Sequence, residues 1–219
     1  MKKIQLLIFD WDGTLADSAG LIVGEMQRAI AELHLPPRDD RVIRELIGLG
    51  WQDVLGQLFP ELDPMDVLRQ LMDYRRRMPP SRAHEAPLFD GVLDTLHELD
   101  QAGKRLAVAT GKPRKGLDAS FVAHPRIGEL ISVSRCADET SSKPDPLMLR
   151  QILEATGHAA EEALMIGDTE FDIAMARAIG MPALGVACGV HEHDRLRDAG
   201  AVAVLESVKA VPAWLRSQE

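Results

Sequence analysis

The chain has 219 residues, 46% of them hydrophobic and 27% charged. That is enough apolar material for a core without disulfide or metal staples, and too ordinary a composition for disorder or fibrous repeats. With 34 Asp and Glu against 25 Lys and Arg, the formal net charge is −9; such a surface argues against nucleic acid as a partner, and 4% aromatic residues leave little for base stacking.

The first apolar run, Ile4 to Phe9, contains Gln5 and stops at Asp10. It is too short for a signal-peptide core or a membrane span and reads as a strand buried on both faces. From Ser18 to Pro80 the pattern is helical. Ser18 can cap a helix whose Leu21, Ile22, Met26, Ile30 and Leu33 share one face, ended by Pro36-Pro37. Asp39 to Ile47 is a second helix, broken by Gly48-Leu49-Gly50. Trp51 to Phe59 and Pro64 to Arg77 are two more, and Pro79-Pro80-Ser81 reads as a linker.

After Pro87 helix and strand alternate. Val92, Leu93, Leu96 and Leu99 make a helical face ending at Gly103, followed by a strand at Arg105 to Ala109. A helix near Arg114–Val122 and a strand near Leu130–Ser134 follow. Asp145-Pro146 reads as an N-cap with proline at the first helical position. Strands at Ala163–Ile166, Ala183–Val186 and near Ala201–Val204 surround a helix from Phe171 to Ile179. This alternation predicts an α/β fold with a Rossmann-like parallel sheet. The helical stretch reads as an insertion: core from 1–16 and 87–219, and a small α-helical domain from 17–86. Cys136 and Cys188, far apart in sequence, read as reduced residues of a cytoplasmic protein.

Ligands of open parallel sheets bind beyond the carboxyl ends of the strands. Asp10 and Asp12 follow the first strand; Thr110, Gly111 and Lys112 follow the second; Asp168 follows the Ala163–Ile166 strand, with Asp172 one helical turn on. Lys143 lies in a loop before a helix. Clustered carboxylates call for a hard cation, while a lysine and backbone amides suit a phosphate. Each residue also has a plainer reading. Asp10 and Asp12 could form a turn with Gly13, Thr110 could cap a helix, Lys143 could be solvated, and Asp168 and Asp172 could serve a helix N-terminus.

Taken in order, Asp10-Trp11-Asp12-Gly13-Thr14-Leu15, Thr110, Ser142-Lys143-Pro144 and Gly167-Asp168-Thr169-Glu170-Phe171-Asp172 resemble the four motifs of the haloacid dehalogenase-like superfamily. The helical insert resembles the cap of its phosphoglycolate phosphatase-like branch. The resemblance implies that Asp10 is a nucleophile forming an aspartyl-phosphate and that Asp12 is the general acid and base. It implies Mg²⁺ held by Asp10, the Asp12 carbonyl, Asp168 and Asp172, the last directly or through water. Thr110, Gly111 and Lys143 would hold the phosphate. Asp12, replaced in the dehalogenases and phosphonatases of that superfamily, points to a phosphomonoester phosphatase; a sugar phosphomutase of the β-phosphoglucomutase type keeps both aspartates and is the alternative. The expected partner is a small phosphorylated metabolite, with no nucleic acid and no membrane, and with monomer and homodimer both open.

In the cap, Arg44, Leu49, Trp51 and Gln52 flank the Gly48-x-Gly50 break and could read the substrate. Arg44 could equally be a surface charge and Trp51 a packing residue. Arg75-Arg76-Arg77 reads as a solvated face. His191 and His193 show no metal spacing, and Met165, Met175 and Met181 read as core.

Overall fold

The computed structural model describes residues 3–78 and 83–218, so the Pro79-Pro80-Ser81 linker lies outside the described residues. Six strands, β1 (Leu6–Phe9), β2 (Arg105–Thr110), β3 (Ile131–Cys136), β4 (Ala163–Gly167), β5 (Ala183–Val186) and β6 (Ala203–Leu205), form one sheet in the order β3-β2-β1-β4-β5-β6. Every pairing is parallel, so the expected Rossmann-like α/β architecture is the observed one. Between β1 and β2 come α1 (Ala19–Glu32), α2 (Asp40–Glu45), α3 (Trp51–Leu58) and α4 (Pro64–Arg77). The remaining helices are α5 (Val92–Gln101), α6 (Arg114–Ala123), α7 (Pro125–Gly128), α8 (Leu147–Thr156), α9 (Glu170–Arg177), α10 (His193–Ala199) and α11 (Val211–Ser217).

Both faces of the sheet are covered because both are apolar. Leu7, Phe9, Val108 and Ile166 pack with Leu96 of α5, Leu117 of α6 and Leu215 of α11. The alternate residues Leu6, Ile8, Ala107 and Met165 pack with Leu149 of α8, Ile173 of α9 and Leu196 of α10. Neighbouring strand residues point to opposite faces, so a strand covered twice must be continuously apolar, as β1 is.

The inserted helices gather their own apolar cluster, including Met26, Ile30, Ile43, Leu55, Phe59 and Leu71; Phe171 and Val190 pack against it from the sheet side. The chain enters and leaves this region side by side. Asp17 N–H donates to Pro87 O at 2.8 Å, and Phe89 N–H to Leu15 O at 3.0 Å. Among the described residues no helix is long and apolar enough to cross a membrane.

Two expected caps are corrected. Ser18 precedes α1 without capping it, because its hydroxyl turns to Asp12 at 2.7 Å. Asp145 does accept from Leu147 N–H at 2.9 Å, as a capping side chain would, but helical bonding starts one residue later than expected, with Pro146 rather than Asp145 at the N-cap. Helices α7, α10 and α11 went unpredicted. Each is short, and α10 buries only Leu196, so no helical period shows in its sequence.

Candidate active site

Parallel strands in register deliver their ends to one edge. Phe9 pairs with Val108 on one side and Ile166 on the other, so Asp10, Thr110 and Asp168 emerge together, all buried. The turn after β1 needs glycine at position 13 for two reasons. Its φ is +86°, and a Cβ there would fall 2.2 Å from Asp168 Oδ2. The same turn brings Thr14, whose Oγ1 donates to Asp168 Oδ1 at 2.7 Å. Val190 N–H donates to the other oxygen at 2.8 Å.

Carboxylate oxygens of Asp10, Asp168 and Asp172 lie within 4.8 Å of one another. Lys143 Nζ stands 2.7 Å from Asp10 Oδ1 and 2.7 Å from Asp172 Oδ1, with all three side chains buried. One ammonium does not balance three carboxylates. Burial, opposed by Lys143 and reinforced by Asp172 and Asp168, holds the Asp10 carboxyl well above its usual range. Burial and then the charge of Asp172 push Asp168 up to about 7, against the hydrogen bonds from Thr14 and Val190. For Lys143 burial works against the charge, but Asp10 and Asp172 outweigh it and raise its pKa.

Among the described residues nothing hydrogen-bonds Asp10 Oδ2, although it is buried. A buried excess of negative charge with an orphaned carboxylate oxygen fits a hard divalent cation bound by oxygen. Asp172 is more committed. Its Oδ1 faces Lys143, and its Oδ2 accepts from Thr169 N–H at 3.2 Å and Thr169 Oγ1 at 2.7 Å.

Asp12 stands apart from this cluster. Its Oδ1 receives Ser18 Oγ at 2.7 Å and Lys112 Nζ at 3.0 Å. Thr110 Oγ1 accepts from Lys112 N–H at 3.1 Å, which leaves its own hydroxyl hydrogen available to a ligand.

The Gly48-Leu49-Gly50 loop of the insertion rests on the sheet edge. A Cβ on Gly111 would fall 2.2 Å from Gly48 O. Gly50 N–H donates to Ser142 Oγ at 2.8 Å. Leu49 is buried and borders a cleft of about 450 Å³ with Asp53, Ser142, Lys143 and Phe171. Arg44 donates to Gly189 O at 3.0 Å. Trp51 is half-buried within the insertion, with the Arg75 guanidinium 4.8 Å over its ring, and Gln52 is exposed. The buried His191 accepts at Nδ1 from Glu170 N–H at 3.0 Å, so its Nε2–H donates to Glu45 O at 3.2 Å.

Residues 7–186 match the family model described as haloacid dehalogenase-like hydrolase. The chain belongs to that family. A phosphoglycolate phosphatase of Rhodospirillum rubrum is 29% identical over 95% of this chain and 90% of its own. One of Agrobacterium fabrum is 32% identical over 84% and 81% respectively. A hydrolase structure from Pseudomonas syringae superposes with a TM-score of 0.84 at 24% identity, covering 98% of both chains.

In this haloacid dehalogenase-like hydrolase, Asp10, Lys143, Asp168 and Asp172 form one buried cluster; Thr110 and Gly111 lie at the end of β2 on the same edge of the sheet, and Asp12 is held apart by Lys112 and Ser18. Of the four cap candidates, Leu49 borders the cleft, Arg44 bonds to the sheet side, Trp51 packs inside the insertion and Gln52 faces solvent. The sequence reading assigned no site role to Thr14, Lys112 and Thr169, gave Ser18 only that of a helix cap, and showed no metal spacing for His191. Their signal was available only as proximity to the motifs: Thr14 and Ser18 follow Asp12, Lys112 follows Gly111, and Thr169 follows Asp168.

Proposed function

We propose that this hydrolase is a Mg²⁺-dependent phosphatase of small phosphomonoesters that works through an aspartyl-phosphate on Asp10. Residues 17–86 act as a cap over the core of residues 1–16 and 87–219, hinged where Asp17 meets Pro87 and Leu15 meets Phe89. The observation that carries this reading is Asp10 itself: buried, 2.7 Å from Lys143, with an oxygen that lacks a partner. A carboxylate kept as a mere structural anchor would have both oxygens satisfied; a nucleophile needs one free.

In the first step an Asp10 oxygen forms a bond to phosphorus as the bond from phosphorus to the leaving oxygen breaks. Asp12 gives its proton to that oxygen. In the second, water attacks the aspartyl-phosphate, Asp12 takes the water's proton, and the bond from Asp10 to phosphorus breaks. Thr110, the Gly111 backbone and Lys143 hold the phosphate oxygens. Asp10, Asp168 and the Asp12 carbonyl would hold Mg²⁺, which supplies charge neutralisation so that an anion can approach an anion. Asp172, with both oxygens engaged, anchors Lys143 and would meet the metal through water. The free Cys136 and Cys188 suit a cytoplasmic enzyme.

The relatives named phosphoglycolate phosphatases make 2-phosphoglycolate the first ester to try, beside sugar phosphates and nucleoside monophosphates. Inorganic phosphate release is measured with Mg²⁺ or EDTA for wild type and Asp10→Asn. Metal-dependent release that Asp10→Asn abolishes supports the reading. Release that survives Asp10→Asn overturns the aspartyl-phosphate. Phosphate moving between sugar positions without release would replace hydrolysis by a mutase reaction.

A further inference from the structure

We propose that Arg44 and His191 are positioning residues for Asp168, acting through the Gly189-Val190-His191 turn, so that seating of the inserted helices and binding of the cation favour each other. The inference rests on the phosphatase reading above and its Mg²⁺ site. The turn is held from two sides. On the sheet side, Val190 N–H donates to Asp168 Oδ2 at 2.8 Å and His191 N–H to Asp168 O at 3.2 Å. On the other, Arg44 donates to Gly189 O at 3.0 Å and His191 Nε2–H to Glu45 O at 3.2 Å. The Val190 side chain packs against the apolar cluster of the insertion.

Gly189 O and Val190 N–H belong to one peptide group. That group is planar and rigid, so Arg44 at its carbonyl end and Asp168 at its amide end cannot be set independently. A charged donor on the carbonyl also polarises the amide and strengthens its bond to the carboxylate. The turn has no slack in which to absorb a shift. A Cβ on Gly189 would fall 2.1 Å from Asp168 Oδ2 and 2.4 Å from Asp168 Cγ, so the backbone lies directly on the carboxylate. The His191 ring is fixed as well: Nδ1 accepts from Glu170 N–H at 3.0 Å, and the Phe171 ring meets it edge-on at 5.4 Å. Partners that orient a ligand side chain raise its affinity for the metal. Whatever factor the seated insertion adds to cation affinity, the bound cation must return to seating.

The test is cation affinity, read without substrate. Mg²⁺ is titrated calorimetrically into the metal-free full chain. Direct partners of a ligand are worth about 10–100-fold in metal affinity. Arg44 and His191 Nε2 stand one bond further out, so Arg44→Met and His191→Asn should each raise the Mg²⁺ Kd about 2- to 10-fold. Asparagine at 191 can still accept from Glu170 N–H but does not reach Glu45. Amide exchange reads the reciprocal effect. Saturating Mg²⁺ should slow exchange at Gly50, whose N–H bonds to Ser142 across the same contact, in wild type and far less in Arg44→Met. The wild-type arm needs no variant and carries the test if a variant fails to fold. Variants that melt earlier but bind Mg²⁺ as wild type does would assign Arg44 and His191 to the fold alone and overturn the proposal. Gly50 exchange indifferent to Mg²⁺ in wild type overturns it too. A wild type that binds no Mg²⁺ overturns the metal reading above and the linkage with it, a result distinct from a wild type and variants that bind equally well.

Discussion

Replacing Gly111 by alanine asks whether the arrangement with the proposed cap resting on the sheet edge is the one that turns over substrate. A Cβ at 111 would sit 2.2 Å from Gly48 O, 2.6 Å from Gly48 C and 2.8 Å from Leu49 O. These are backbone atoms and cannot rotate aside. Contacts between heavy atoms are comfortable from about 3.5 Å, so the loop must withdraw by about 1 Å. Withdrawal pulls on the bonds from Gly50 to Ser142, Arg44 to Gly189 and His191 to Glu45. Each is worth about 0.5–1.5 kcal/mol net. Losing two costs the closed state about 1–3 kcal/mol, roughly a 5- to 150-fold shift toward open. The Gly111 backbone is not left-handed, so the core itself accepts alanine. Steady-state assays on a good phosphomonoester should show kcat/KM reduced by about that factor, while Tm moves by less than about 4 °C. A variant within twofold of wild type would refute the idea that this loop must seat on Gly111 during catalysis. A collapse of Tm would show that position 111 serves the core instead.

Four further outcomes are expected. Asp168 has its pKa raised to about 7 from about 3.9 in an unfolded chain, so between those values the folded state holds a proton that the unfolded state has released. In EDTA the protein should lose stability as pH rises from about 4 to about 7, by up to about 1.4 kcal/mol per pH unit from this group, and level off above; thermal melts of wild type against Asp168→Asn isolate the effect, and parallel curves would refute it. Asp10→Asn should abolish turnover yet raise metal-free stability by about 1–2 kcal/mol in urea melts, because burial disfavours the Asp10 charge and Lys143 keeps Asp172 as its partner. Asp172→Asn should raise KM for the ester about tenfold through loss of the Lys143 anchor, whereas Asp168→Asn should chiefly raise the Mg²⁺ concentration for half-maximal rate; identical behaviour of the two would merge the roles separated here. Gly56→Ala in α3, where the nearest atom to a new Cβ is 4.0 Å away, should add about 0.5–1 kcal/mol of stability with unchanged kcat.

The sheet and the carboxylates were legible because both follow from short-range pattern. A doubly covered strand must be a run such as Leu6–Phe9, and the polar residue that ends it must lie at the ligand edge. What was not legible depends on partners distant in sequence. Thr14 reaches Asp168 across 154 residues, and His191 ties Glu170 to Glu45; a threonine after Asp-Gly and a histidine without metal spacing carry no mark of such partners. Ser18 shows why a local rule fails at a site. Serine before a helix is a good N-cap, but a carboxylate offers its hydroxyl a stronger, charge-assisted bond than a backbone amide can.

Lys143 explains why the crevice spends two carboxylates on one ammonium. On the proposed mechanism, a lysine paired with Asp10 alone would be released whenever Asp10 turned to attack phosphorus. Its charge would then be buried without compensation, at a cost of several kcal/mol. Asp172 removes that problem: Thr169 fixes its Oδ2 by two bonds, so its Oδ1 stays aimed at Lys143 whatever Asp10 does. The ammonium can then exchange Asp10 for an arriving phosphate oxygen while keeping one anionic partner throughout. Thr169 and Asp172 are an N-cap and a third-position acid at the start of α9, so the helix-capping box and the lysine anchor are one structure. Only half of that double use is visible in the sequence.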